Sequence, residues 1–399
     1  MKRVLPISLL VACSGVEEVK PPVEEVSPAA LPCVVAARGE LDELPIAWVD
    51  GSTPQHAAWQ VDGAWGTDHG VVPISGRRAW VVHDELWMVD GMRLQRLDLD
   101  ADGAQHVLEL EDLLSLDAPY KVVDLSVVGV GGLVEGVWLA LTSAGEAEGS
   151  FLVQLVPDAP TAGWVVASRY PDKGLDPVRY TRVEASPSRV AVAFGEVDGA
   201  KVRVVSRRGK PLRTVTLPRA GDGEGPSAIG LLGQGVLAVM PDGRVVVDRP
   251  GHRHGEVVAG LHQLALGSEG LIGVTGKGRL RTRVREGVSL TDGLSHDGLV
   301  WGAATLGEGA VVVGPSQPFV GLDVLRGPIQ PPTSGPTWAP EVAPPHRCAV
   351  PDLGQPALPP LLGIDGSVRL VFPPPATPEG EPPASPHWMQ LAPPSDPAP

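Results

Sequence analysis

The sequence contains few cysteines, few aromatic residues and almost no helical periodicity. Three of its 399 residues are cysteine, and aromatic residues make up 4%. The best helical pattern, residues 108–116, equally suits a strand in its alternating first half. The apolar run behind the basic N-terminus, residues 4–12, is far too short to span a bilayer as a helix. These absences argue against an α-helical fold and favour a chain built mainly from strands.

The motifs of several enzyme classes are also missing. The sequence has no Gly-x-Ser-x-Gly, no Gly-x-x-x-x-Gly-Lys, no His-Glu-x-x-His and no Cys-x-x-Cys. It therefore lacks the local patterns of a serine hydrolase, a phosphate loop, a zinc protease helix and a dithiol redox centre. We predict no catalytic residues, and no cofactor other than a calcium ion.

Acidic residues outnumber basic ones, and the formal net charge is −15. Such a chain repels phosphate backbones, so nucleic acid is not an expected partner. The 49 glycines and 43 prolines together approach a quarter of the residues, and valine is abundant. This composition predicts many turns that connect many short strands.

The N-terminus has the order of an export signal. Lys2 and Arg3 precede the apolar run, which ends at Leu10-Val11-Ala12-Cys13. This sequence resembles the lipobox of bacterial lipoproteins. The resemblance implies a signal peptide at residues 1–12, a lipidated Cys13 and anchoring in a membrane. Ser14 occupies the position where an aspartate would resemble an inner-membrane retention signal, so the outer membrane is favoured. The alternative is an ordinary thiol behind a simple secretory leader.

The two other cysteines, Cys33 and Cys348, form an even set once Cys13 is acylated. In the oxidising compartment that export implies, they are predicted to pair in a disulfide. The alternative is two unrelated free thiols.

The central part of the chain contains repeats. Three similar segments begin at Leu232, Leu266 and Leu306, which lie 34 and 40 residues apart. Each is a glycine-containing turn followed by an apolar strand, and the first two continue through a second turn into another strand. Weaker copies occur at residues 76–89, 136–141 and 188–205. The pattern predicts a meander of hairpins.

The spacing of these strands, roughly 35 to 60 residues, is similar to the blade spacing of β-propellers. The chain resembles the broad class of WD-repeat-like and quinoprotein-like propellers found in periplasmic lipoproteins. We expect an all-β propeller of about seven blades, with six or eight as alternatives. One blade would combine residues 46–65 with residues 364–372. Two β-sandwiches are the structural alternative.

Composition divides the chain further. An acidic, proline-containing tether is predicted at 13–32, followed by the propeller-like domain at 33–327. A proline-rich excursion is predicted at 328–360, a closing strand at 361–372 and a disordered proline-rich tail at 373–399.

One motif suggests an ion site. Asp98, Asp100, Asp102 and Gly103, with Glu109 at the twelfth position, follow the ligand pattern of a calcium loop. Asp-Gly also favours a plain hairpin turn, which is the alternative.

These features suggest a membrane-anchored module that binds or scaffolds an unknown protein or envelope component without catalysis. The alternative is a propeller hydrolase or lyase with its active site at the central channel. Fold alone does not decide between them. An enzyme would gather histidine, aspartate or glutamate side chains at one mouth of the channel.

Overall fold

The computed structural model describes residues 31–394 apart from 69, 74–77, 101–104, 117–118, 131–132, 145–148, 159–162, 197–198, 219–224, 233, 242–243, 249–255, 259–260, 267–269, 276–279, 285–298, 307–308, 316–320, 329–345, 352 and 378–383. The predicted signal peptide, Cys13 and most of the predicted tether lie outside the described residues.

Strands in the described first half form antiparallel meanders after two N-terminal strands, β1 (Leu31–Pro32) and β2 (Val35–Glu40). Sheet 1 contains β3 (Ala47–Trp48), β4 (Ala58–Val61), β5 (Ala64–Thr67) and β6 (Gly70–Pro73). Sheet 2 contains β7 (Ala79–Val82), β8 (Glu85–Asp90), β9 (Arg93–Asp98) and β10 (Gln105–Glu109). Sheet 3 contains β11 (Tyr120–Val130), β12 (Leu133–Ser143), β13 (Ser150–Asp158) and β14 (Gly163–Tyr170). Sheet 4 contains β15 (Tyr180–Ala185), β16 (Arg189–Glu196), β17 (Gly199–Ser206) and β18 (Pro211–Thr216).

The second half continues the same meander. Sheet 5 contains β19 (Ala228–Leu232), β20 (Gly235–Val239), β21 (Val245–Asp248) and β22 (Glu256–Val258). Sheet 6 contains β23 (Leu261–Leu266), β24 (Gly270–Thr275) and β25 (Leu280–Val284). Sheet 7 contains β26 (Gly302–Leu306), β27 (Gly309–Pro315), β28 (Gly321–Pro328) and β29 (His346–Pro351), with β1 added at its edge. Sheet 8 contains β30 (Leu361–Leu362), β31 (Val368–Phe372) and β32 (His387–Leu391), with β2 added at its edge.

The repeats in the sequence correspond to equivalent strands. The apolar parts of the segments that begin at Leu232, Leu266 and Leu306 form β20, β24 and β27, the second strands of sheets 5, 6 and 7. These strands were therefore predictable from local signals alone, namely glycine turns followed by runs of β-branched residues.

Helical structure in the described residues is limited to α1 (Leu110–Leu114). Both a strand and a helix occur within residues 108–116. Residues 108–109 are the end of β10, and Leu110–Leu114 form α1. Within the part of the chain that the structure describes, no helix is long and apolar enough to cross a membrane.

The sheets are arranged in a ring. Neighbouring sheets approach each other through their first strands, β7 with β11, β11 with β15 and β15 with β19, so these strands lie innermost. In the described residues, apolar clusters fill the spaces between sheets 1 and 2, 2 and 3, 3 and 4, 4 and 5, and 7 and 8. Sheet 8 packs against sheet 1 through Leu361, Val371, Trp59 and Val61. Meandering four-stranded sheets that close radially define a β-propeller. The predicted all-β propeller is confirmed.

The described residues form eight sheets, the upper number that the sequence allowed. The difference from seven arises at one place, because residues 46–65 do not combine with residues 364–372. Sheet 1 is completed by β6, whereas sheet 8 takes β2 from Val35–Glu40. The predicted mixed blade is therefore two separate blades.

The proline-rich C-terminal segment, residues 328–399, is more regular than its composition predicts. The predicted excursion at 328–360 contains β29, the predicted closing strand at 361–372 is two strands, and the predicted disordered tail at 373–399 contains β32. Strand β32 pairs on one side with β31 and on the other with β2, and Leu391 is fully buried. Pairing with distant strands overrides the weak local strand preference.

The N-terminal segment fastens the ring. Strand β1 runs parallel to β29 with Leu31 opposite Cys348. Cys33 and Cys348 form a disulfide with their Cα atoms 4.9 Å apart. The pair predicted from the sequence is thus bonded, and it joins the N-terminal segment to β29 of sheet 7.

Candidate functional site

A cavity of about 1080 Å³ lies at the centre of the ring. Its lining comes mostly from sheets 1 to 5, whose first strands face the axis. One part of the lining carries charged side chains from sheets 1 to 4, and sheet 5 adds small and apolar residues such as Ala228, Gly230 and Leu237. This volume is just above the range of about 300 to 1,000 Å³ that is typical of small-molecule sites.

The charged part is organised around Arg78, which directly precedes β7. The Nη1 atom of Arg78 donates to Oδ2 of Asp124 on β11 at 2.5 Å. Its Nη2 lies 2.9 Å from Oδ2 of Asp50 beside β3 and 3.6 Å from Oε2 of Glu184 on β15. Its Nη1 also donates to the carbonyl oxygen of Val183 at 3.2 Å. One guanidinium therefore links sheets 1, 2, 3 and 4.

The surroundings of Arg78 stabilise its charged form. Burial opposes that charge, but the nearby carboxylates of Asp124, Asp50 and Glu184 outweigh burial and raise the pKa of Arg78 above its ordinary value. The guanidinium also lies 5.0 Å from the ring centroid of Trp80, within the range of a cation–π contact.

Asp124 is the most buried carboxylate of the group, with 2% of its surface exposed. The backbone N–H of Val183 donates to its Oδ2 at 2.7 Å. Its Oδ1 is buried and has no hydrogen-bond partner among the described residues. Burial raises the pKa of Asp124 to about 6, against the opposing effect of Arg78. This carboxylate is only partly satisfied by its own protein.

Glu184 has the largest shift among the cavity carboxylates. Burial raises its pKa from 4.5 to about 8, and the like charges of Asp50 and Asp124 add to the increase, whereas Arg78 opposes it. Glu184 is therefore protonated at neutral pH, so the cavity holds a carboxylic acid beside two carboxylates.

Glu184 should make stability fall as pH rises. Between pH 4.5 and 8 the folded protein retains a proton that the unfolded chain has released, so the free energy of unfolding decreases across this window. Glu184→Gln removes the titration and should stabilise the protein at pH 9 by roughly 2 to 3 kcal/mol, with little effect at pH 4.

Thermal or urea unfolding at the two pH values measures this effect. Glu111→Gln, on the exposed face of α1, is the matched control and should follow the wild-type protein. An equal change in stability of Glu184→Gln at pH 4 and pH 9 would contradict the assignment.

Glycine at position 51 places Asp50 in the cavity. The N–H of Val81 donates to the carbonyl oxygen of Asp50 at 2.7 Å, which draws sheet 1 against sheet 2. Gly51 has φ +82°, and a Cβ there would lie 2.0 Å from the carbonyl oxygen of Val81. Only glycine allows both the backbone conformation and this approach.

The predicted calcium ligands do not converge in the described residues. Glu109 pairs with Arg93 in the ladder and contacts its Nε at 2.9 Å. Asp98 lies at the other end of β9, roughly 17 Å away at the rise of an extended strand. Among the described residues Glu109 therefore lies apart from Asp98, because residues 105–109 run along β9 away from the loop.

The loop end itself is partly described. The N–H of Asp100 donates to Oδ1 of Asp98 at 2.9 Å, which is the contact of an Asx-type turn, and Oδ1 of Asp100 lies 3.4 Å from Nδ1 of His56. Asp102 lies outside the described residues. Among residues whose placement is given, no three histidine, cysteine, aspartate or glutamate side chains form a metal-binding group.

The sequence did not reveal the central cluster. Asp50, Arg78, Asp124 and Glu184 are spread over four sheets and 134 residues, and none lies in a recognisable motif. The available signal was weak: each is a charged residue in or beside the first strand of its sheet. Ring closure brings these strands together, and the spacing of residues along the sequence does not indicate which strands will be neighbours.

The fold and the cavity define a β-propeller with a charged central cavity. No protein-family model matches the chain, and no curated protein matches it. Solved structures with partial likeness include BamB from Moraxella catarrhalis, at 12% identity and a TM-score of 0.44, covering 90% of this chain and 100% of that one. Sqt1 from Saccharomyces cerevisiae shows 8% identity and a TM-score of 0.45, covering 91% and 100%.

PorZ from Porphyromonas gingivalis, described as a bacterial surface component of the type-IX secretion system, shows 13% identity and a TM-score of 0.40. The match covers 84% of this chain and 42% of PorZ. A puromycin-hydrolysing peptidase of Mycobacterium tuberculosis is matched over 63% of its length. Likenesses at these scores do not identify a function for this chain.

Proposed function

We propose that this protein is a lipid-anchored component of the bacterial cell envelope whose propeller binds a partner at its central cavity without catalysing a reaction. The observation that carries the binding role is the cavity of about 1080 Å³ with its charged lining held by Arg78. A site preorganised in this way recognises a ligand without paying for its own rearrangement.

The charged groups are engaged with one another, which favours binding over catalysis. Arg78 contacts Asp50, Asp124 and Glu184 at once, and Asp124 also accepts from the backbone of sheet 4. These contacts fix the carboxylates in a network that joins the sheets. A nucleophile or proton donor requires freedom to exchange its proton with a substrate.

Two features support location in the envelope. The sequence Leu10-Val11-Ala12-Cys13 resembles a lipobox, with the outer membrane favoured by Ser14. The disulfide between Cys33 and Cys348 suits an oxidising compartment. Lipid on Cys13 would hold the propeller at a membrane surface.

Replacing Cys13 tests the anchor. Cys13→Ala should move the protein from the membrane fraction to the soluble fraction of the producing cells, because the acyl chains are lost. Mass spectrometry of the wild-type protein should find an acylated N-terminal peptide that begins at Cys13. Ser14→Ala is the matched control and should stay in the membrane fraction. Unchanged partitioning of Cys13→Ala would refute the anchor.

Site-specific photocrosslinking in intact cells tests the binding role. A photoreactive residue at Gln60 or Ala228, both exposed and both lining the cavity, should give an adduct of reproducible mass. The same residue at Leu212, exposed on the outer strand β18, is the control. Equal adducts at all three positions, or none at the cavity positions, would contradict a partner at the cavity.

A hydrolase or lyase is the second candidate, and the raised pKa of Glu184, about 8, favours it because a protonated carboxyl at neutral pH is suited to donate a proton. The captured ligand distinguishes the two functions. A binding module returns its ligand unchanged after incubation, whereas an enzyme converts it and loses this activity in Glu184→Gln.

A further inference from the structure

The disulfide between Cys33 and Cys348 has a buried cation beside it. Arg326 lies on β28 two residues from Val324, which is the ladder partner of Cys348. Because side chains alternate along a strand, Arg326 lies on the same face of sheet 7 as Val324 and Cys348. Its Nη2 is 3.8 Å from Sγ of Cys348. A guanidinium is therefore in contact with one sulfur of the pair.

This guanidinium makes no ion pair among the described residues. Arg326 is 4% exposed, and its Nη1 donates to the carbonyl oxygens of Gly366 and Ala392 in sheet 8. Its Nε is buried without a hydrogen-bond partner in the part of the chain that the structure describes. Burial lowers the pKa of Arg326 to about 10, against the opposing effect of Asp365, so the group stays charged at neutral pH. A buried positive charge without an anion in contact is unfavourable.

The two cysteines of the bond differ in exposure. Cys348 lies within β29, is 1% exposed and packs in the apolar cluster between sheets 7 and 8. Cys33 is half-buried and lies between the exposed residues Pro32 and Val34, in the short connection from β1 to β2. A molecule in the solvent therefore approaches the bond from the side of Cys33.

Exchange of a disulfide with a thiolate makes different demands on the two sulfurs. The attacking thiolate bonds to one sulfur, and the other leaves with the electron pair, faster when its thiolate is more stable. A neighbouring arginine stabilises a thiolate. Cys33 is the more accessible of the two, and Cys348 is the one whose thiolate Arg326 would stabilise. The two demands of the reaction are thus met at opposite ends of the bond.

We propose that the bond between Cys33 and Cys348 is a thiol–disulfide exchange site, which a dithiol opens through Cys33 with Cys348 as the leaving thiolate. One thiolate of the dithiol bonds to Sγ of Cys33, the bond between the two cysteine sulfurs breaks, and its electron pair passes to Sγ of Cys348. The second thiolate of the dithiol then displaces Cys33. The dithiol is oxidised to a disulfide, and the protein is reduced to two thiols. Closure follows the same steps in reverse.

Opening the bond affects only one edge of the ring. Strand β1 is held to β29 by the pairs of Leu31 and Pro32, whereas β2 stays paired with β32. Exchange therefore releases the N-terminal end of the domain and leaves the sheets in place. The proposal concerns the route and the rate of exchange, so it is compatible with a bond that stabilises the fold. It goes beyond the proposed function and does not depend on a partner at the cavity.

The rate at which dithiothreitol reduces the folded full chain at neutral pH tests the role of Arg326. Arg326→Gln removes the charge but keeps an amide that donates to carbonyl oxygens, and it should slow reduction roughly three- to tenfold. Arg326→Lys should recover most of the rate. Arg369→Ala is the matched control, because it removes another buried guanidinium that contacts Asp68 instead of a sulfur. A purely structural loss loosens the fold and speeds reduction, so the two roles change the rate in opposite directions.

Oxidised glutathione tests which sulfur is reached, with Arg326 unchanged. The reduced variants Cys348→Ala and Cys33→Ala each keep one cysteine of the pair, and peptide mapping by mass spectrometry separates both positions from Cys13. Cys33 should form the mixed disulfide at least about tenfold faster than Cys348, because attack requires access. Equal rates at the two cysteines, or faster reaction at Cys348, would overturn the proposal. Reduction of Arg326→Gln that is as fast as that of the wild-type protein, or faster, would overturn it as well.

Discussion

Breaking the disulfide between Cys33 and Cys348 is expected to lower the free energy of unfolding by roughly 3 to 5 kcal/mol. The bond spans 315 residues of sequence, and closing so long a loop removes a large amount of conformational entropy from the unfolded chain. The native fold keeps its other closures, β1 on β29 and β2 on β32. The protein should therefore still fold, but with a lower unfolding midpoint.

Cys33→Ala is the suitable variant. Cys348 is 1% exposed within an apolar cluster of sheets 7 and 8, where a free thiol packs as a small apolar group. Denaturant unfolding should show the same loss for the wild-type protein under reducing conditions, and reductant should not affect Cys33→Ala. Equal midpoints for oxidised and reduced wild-type protein would contradict the role of the bond as a fastener of the ring.

Replacing Arg369 with alanine should lower the free energy of unfolding by about 3 to 5 kcal/mol. Arg369 lies on β31 with 1% of its surface exposed. Its Nη1 donates to Oδ2 of Asp68 at 2.7 Å and its Nη2 donates to Oδ1 of the same carboxylate. The guanidinium lies 4.1 Å from the ring centroid of Trp388 and 5.8 Å from that of Trp59. This side chain joins sheet 8 to sheet 1, where the ring closes.

Urea unfolding of three variants tests this interpretation. Arg369→Ala leaves Asp68 without its partner and a void between the two tryptophans. Arg369→Lys should recover only part of the stability, because an ammonium does not bind both carboxylate oxygens in the planar geometry of a guanidinium. Arg93→Ala, which loses an exposed pair with Glu109, should change stability by less than about 1 kcal/mol. Similar losses for Arg369→Ala and Arg93→Ala would contradict a special role at the closure.

The two predictions act on the same part of the ring by different means. The disulfide restricts the unfolded chain, and Arg369 contributes contacts to the folded one. Cys33 and Arg369 belong to different clusters of side chains, so their effects should add in a double variant within about 0.5 kcal/mol. A much larger combined loss would indicate that both depend on one cooperative closure between sheets 7, 8 and 1.

The sequence predicted the repeated unit correctly because its signals are local. Glycine turns followed by Val-rich runs located β20, β24 and β27, and the pairing of Cys33 with Cys348 followed from the number of cysteines. The number of blades could not be predicted from local signals, because it depends on pairing between distant strands. Strand β32 lies in a proline-rich segment, and its partners β2 and β31 come from opposite ends of the domain.

The sequence by itself determined the strand-rich class, the turn positions and the pair of cysteines, because each depends on neighbouring residues or on composition. Only the tertiary structure decided which charged side chains lie close together. It separated Glu109 from Asp98 along an extended hairpin, and it brought Asp50, Arg78, Asp124 and Glu184 into one cavity. The physical reason is that closure of the ring sets distances between first strands, and these distances do not depend on separation along the chain.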